Sequence, residues 1–94
     1  MESVKIIEKE ELPSIKFVSY DVLNTKEERA ARREQVEKAM LLGNSSKGKS
    51  KIFFMSVNGL TEVETTVWAA SDDVITLKSG LMIPLHAIQR IELI

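Results

Sequence analysis

Eight consecutive residues of this 94-residue chain, Gly43-Asn44-Ser45-Ser46-Lys47-Gly48-Lys49-Ser50, match the spacing G-x-x-x-x-G-K-S. In nucleotide-binding loops that spacing lets backbone N–H groups cradle phosphates. The lysine reaches the terminal phosphates and the last hydroxyl holds Mg²⁺. The chemistry also needs a strand before the loop and a helix after it, because the helix N-terminus stabilises the anion. Here the order is reversed: a capped helix precedes the loop and the β-prone segment Lys51–Val57 follows it. Asp72 and Asp73, the acids available to hold a metal, fall in a turn signal. The segment therefore reads as a polar connector, and neither a bound nucleotide nor a cofactor is expected.

The other chemistry-bearing residues are few. His86 is the only histidine and there is no cysteine, which excludes thiolate metal sites and leaves no histidine pair. No nucleophile–base pair with a known spacing is visible, so the chain is not read as an enzyme. Basic residues are concentrated instead. Residues 26–52 carry a balance of +4, against −2 for residues 1–25 and −3 for residues 53–94. Arg29, Arg32, Arg33, Lys47, Lys49 and Lys51 are the candidates for phosphate contacts, which supply affinity without reading sequence. Trp68 falls on the strand face of Glu62, Glu64 and Thr66, opposite Val63 and Val67. A tryptophan on a polar face is either an interface anchor or a residue that a bulge turns into the core. Phe17 and Tyr20 are read as packing residues.

These residues must be positioned by one helix and a run of short strands. Thr25-Lys26-Glu27-Glu28 is a capping box, with Gly43 as the expected stop. Glu28–Arg32 and Glu34–Lys38 are favourable i,i+4 pairs. Val36, Ala39 and Met40 form a short apolar stripe, so the C-terminal turns should dock while Arg29, Arg32 and Arg33 face solvent. After the loop, Lys51–Val57 and Leu60–Ala70 flank Asn58-Gly59, a strong hairpin turn. Val74–Lys78 follows Ser71-Asp72-Asp73, and Leu81–Ile83 follows Ser79-Gly80. Pro84 belongs at a strand edge or end. Leu85–Gln89 reads as a tight turn, and Arg90–Ile94 as a last strand with Ile91 and Leu93 inward. Residues 1–13 read as an extended arm, with Pro13 opposing any helix, and Ile15–Tyr20 as one further strand. Connections this short imply an antiparallel meander.

The element order and three short motifs resemble the Sm-fold RNA-binding proteins, most closely the Hfq branch. The motifs are Val57-Asn58-Gly59-Leu60, Val74-Ile75-Thr76-Leu77-Lys78 and His86-Ala87-Ile88. The resemblance implies a small five-stranded antiparallel barrel and ring assembly through strand edges. It also implies uridine-rich RNA bound at a pore by a Lys and a His, of which His86 is present. Two departures stand out. Thr65-Thr66 occupies the place of a strand glycine, and Pro84-Leu85-His86 replaces a Tyr-Lys-His run.

The expected fold is thus mainly β (α+β) and a single domain: an arm over residues 1–24, then a helix and barrel over residues 25–94. The expected function is single-stranded RNA binding through the basic helix and loop, with His86 included. The alternative is a protein-interaction or self-assembly domain anchored by Trp68. A core this small favours further copies of the chain as partners. The first residues lack a signal-peptide pattern and no run is long enough to span a membrane, so a cytoplasmic location and no membrane partner are expected.

Overall fold

The computed structural model describes residues 3–94. Its elements are β1 (Lys5–Ile7), α1 (Lys26–Ser46), β2 (Ser50–Ser56), β3 (Gly59–Thr65), β4 (Val67–Ala70), β5 (Val74–Leu77), β6 (Met82–Pro84) and β7 (Ile88–Leu93). Short 3-10 turns cover Lys9–Ser14, Lys78–Gly80 and Leu85–Ala87.

The strands form two sheets, ordered β1-β3-β2-β7 and β4-β5-β6, and neither closes into a barrel. This corrects the expected five-stranded antiparallel barrel. Two local causes are visible. The segment read as one strand, Leu60–Ala70, breaks at Thr66, so its halves serve different sheets. Three residues of the arm also add a strand: Lys5, Ile6 and Ile7 pair in parallel with Thr61, Glu62 and Val63. That parallel pair is possible because α1 and β2 intervene, and the pure meander is corrected accordingly.

The rest of the arm departs from expectation too. Ile15–Tyr20 makes a single bridge, Phe17 to Ser56, rather than a strand. Pro13 lies inside the Lys9–Ser14 turn, which is 3-10. Backbone bonds tie the arm down: the Val18 N–H donates to the Met55 carbonyl at 3.3 Å and the Val57 N–H to the Lys16 carbonyl at 2.9 Å. Phe17 packs on Phe54 with ring centroids 5.3 Å apart. Tyr20 is exposed, against its reading as a packing residue.

Helix α1 begins as its capping box dictates. The Thr25 hydroxyl accepts from the Glu28 N–H at 3.1 Å, and Glu28 accepts from the Thr25 N–H at 3.1 Å. Glu28 is thereby taken from Arg32, while Lys38 and Glu34 do pair at 3.2 Å. The helix runs through Gly43 to Ser46, one turn beyond the expected stop, and Lys47 caps it in the left-handed region (φ 56°, ψ 29°). Gly43 has another purpose. A Cβ there would lie 2.3 Å from the Val67 carbonyl oxygen, so glycine lets α1 touch the β4 backbone.

Both sheets and α1 share one core, in which Val36, Ala39, Ile52, Phe54, Val63, Val67, Ile75, Leu77, Ile83 and Ile88 are fully buried. Ile91 is buried as expected, whereas Leu93 is half exposed. Helix α1 also covers the outer edge of β7. The Ile91 N–H donates to Gln35 Oε1 at 2.8 Å, and Arg32 donates to the Ile88 carbonyl at 3.0 Å. Two strand-edge groups that would otherwise recruit another strand are thus occupied.

Candidate functional site

The basic helix face is largely committed to the fold. Arg32 is buried rather than solvent-facing, and both its terminal nitrogens donate to Asp21 at 2.9 Å. Arg29 donates to the Leu23 carbonyl at 3.2 Å and lies 3.5 Å from Asp21. Arg33 donates to the Ser71 carbonyl at 2.8 Å and pairs with Glu37. His86 sits in the last 3-10 turn, where its Nε2–H donates to the Val18 carbonyl at 2.7 Å. Because a carbonyl can only accept, this contact places the proton on Nε2. The Val22 N–H returns a bond to the His86 carbonyl at 3.0 Å, so the residue straps the arm.

The loop Gly43–Ser50 divides into a helix end, a cap and a strand start. The N–H groups of Lys47 and Gly48 donate to the carbonyls of Gly43 and Leu42, which close the helix. Gly48 packs against Leu42, whose side chain would lie 2.6 Å from a Cβ there. Ser50 is buried in β2, in register with Thr65. This geometry directs the backbone donors into the helix cap rather than toward a phosphate.

What the fold does assemble lies at the break between β3 and β4. Trp68 is the extra residue of a bulge: Val67 pairs with Leu77, and Ala69 with the adjacent Thr76. Trp68 keeps the outward side that alternation from buried Val67 gives it and is 46% exposed, so the bulge does not carry it into the core and the surface alternative holds. Lys47 and Lys78 flank it in a pocket of about 130 Å³ floored by Thr66. Thr66 holds both lysine backbones. Its hydroxyl donates to the Lys47 carbonyl at 3.4 Å, and its carbonyl accepts from the Lys78 N–H at 2.9 Å. Neither lysine is ion-paired among the described residues.

Of the residues singled out from sequence, the structure brings together Trp68 and Lys47, with Lys49 in an adjoining pocket. Lys51 stands in cross-strand register between Glu64 and Glu92, away from Trp68. The arginines and His86 line neither pocket. Lys78 and Thr66 were missed as site residues. The signal for them is the β4–β5 register, because pairing Val67 with Leu77 sets Lys78 opposite Thr66. The described residues contain no cluster of metal-ligating side chains. No described helix is long and apolar enough to cross a membrane. No protein-family model matches the chain, and neither a characterised protein nor a solved structure matches it.

Proposed function

We propose that this protein is a non-enzymatic binding module for single-stranded RNA, with Trp68 as the stacking platform and Lys47 and Lys78 as phosphate contacts. The observation that carries this reading is the exposed Trp68 indole lining one pocket with Lys47 and Lys78, neither of which is ion-paired among the described residues. Aromatic stacking suits any base, and neighbouring cations neutralise the backbone. The basic loop is retained from the sequence reading, and the helix arginines give way to Lys78.

The test is fluorescence anisotropy of labelled single-stranded RNA at low and moderate salt. Trp68→Ala should weaken binding roughly 5- to 150-fold, the usual worth of a stacked base. Lys47→Ala and Lys78→Ala should each lower affinity for every sequence and reduce the salt slope by about 0.7. No binding at low salt would overturn the reading and leave Trp68 as an anchor for a protein partner.

A further inference from the structure

The Trp68 pocket adjoins a second pocket of about 150 Å³, and the two share Thr66 and Lys78. The second pocket is built from three parts of the chain. The arm's 3-10 turn supplies Lys9 and Glu10, the segment before β2 supplies Lys49, and β3 supplies Glu64. None of these four is ion-paired among the described residues, so their charges are available to a ligand. Glu8, at the start of the 3-10 turn, also lines the pocket; its backbone, not its carboxylate, makes the turn's bonds, donating to Glu11 Oε2 and accepting from the Glu11 N–H.

Resting on the RNA reading above, we propose that this second pocket is a nucleotide subsite that prefers cytosine to uracil. An open pocket of about 150 Å³ has room for a pyrimidine ring. The pocket offers both carboxylates and ammonium groups. Cytosine presents an amino donor beside ring-nitrogen and carbonyl acceptors, so its edge matches that mixture. Uracil presents a single N–H between two carbonyls, so it offers a donor to only one of the two carboxylates, whereas the cytosine amino group has an N–H for each. Lys78, common to both pockets, pairs with the phosphate that joins the two nucleotides.

The experiment compares oligocytidylate and oligouridylate of equal length by anisotropy at low salt. The proteins are the wild type, Trp68→Ala and the double variant Glu10→Gln/Glu64→Gln. Wild type should bind the cytidine strand at least about fivefold more tightly, the lower end of one good base-edge contact. The double variant should bring the ratio near one while keeping the uridine strand bound, because an amide can turn either donor or acceptor to the base. Both carboxylates are exposed, so the variants should fold. Equal wild-type affinities, with Trp68→Ala still weakening both strands, would overturn the subsite and leave stacking at Trp68 standing. A preference that survives the double variant would overturn the role of these carboxylates. Binding of neither strand would overturn both readings.

Discussion

Arg32 and Asp21 form a two-pronged ion pair across the junction of arm and helix, with both guanidinium terminal nitrogens 2.9 Å from the two carboxylate oxygens. Arg32 also reaches the Ile88 carbonyl, so one side chain joins the arm, α1 and β7. Asp21→Ala would strand a buried cation on a single acceptor. The expected loss is about 2–3 kcal/mol, below the roughly 3–5 of a fully buried pair because Asp21 is a quarter exposed. Urea unfolding measures it, and a loss under about 0.5 kcal/mol, the usual surface value, would show the pair to be incidental.

The same pair sets the acid limb of stability. Hydrogen bonds from Arg32 hold the Asp21 carboxyl below its ordinary 3.8. Burial opposes them, and the Leu23 N–H and the charges of Arg32 and Arg29 assist. Glu28 is also lowered, by the Thr25 hydroxyl and then by the N–H groups of Thr25 and Asn24. Near the ordinary values the unfolded chain binds these protons while the native state does not, so stability rises with pH. The contribution is complete above the unfolded values and is lost as pH falls through the folded ones. Melting temperature should therefore drop below about pH 5, with a shallower acid limb in Asp21→Asn. Parallel limbs in the two proteins would contradict this account.

Gly43 and Gly48 share one motif but should respond differently to alanine. At Gly43 the added methyl meets the Val67 carbonyl oxygen at 2.3 Å and Thr66 Cγ2 at 2.9 Å. Backbone cannot step aside, so α1 must lift from β4 at about 1–3 kcal/mol. The gain of roughly 1 kcal/mol in helix propensity offsets only part of this. At Gly48 the obstacle is the Leu42 side chain, which can change rotamer, and Leu42→Ala should relieve the substitution. Thermal unfolding of both single variants and of the Gly48→Ala/Leu42→Ala double variant decides it. Equal losses at the two glycines would refute the packing role of Gly43.

The local parts of this fold were legible because their signals are local. The Thr25–Glu28 cap and the hairpin signal act within four residues; the cap stands where the sequence puts it, and the hairpin forms one residue early, turning at Val57-Asn58 with Gly59 already paired to Ser56. What escaped is non-local. Arg32 reads as a surface residue because its partners lie 11 and 56 positions away. Lys5–Ile7 becomes a strand only because β3 offers an edge some fifty residues later. Thr66 divides one alternating segment between two sheets without a glycine or proline to announce the break. For the site, the oddity of Trp68 was visible, but its lysine neighbours depend on the strand register and on the helix running past Gly43.

Lys47 connects stability to the proposed function with opposite signs. It occupies the left-handed region at φ 56°, a conformation that costs an L-residue roughly 1–2 kcal/mol. Gly48, which would fit there at no such cost, comes one residue later. Lys47→Gly removes the strain. Glycine's greater freedom in the unfolded chain takes back about 0.5–1 kcal/mol, leaving a net gain of about 0.5–1 kcal/mol. The same change deletes one of the two cations beside Trp68, so RNA affinity should fall severalfold and the salt dependence should become shallower. Urea unfolding and an RNA titration on one preparation read both effects. A variant that is more stable and binds more weakly fits a cap residue kept for its charge. Unchanged RNA affinity would remove Lys47 from the site, whatever its effect on stability.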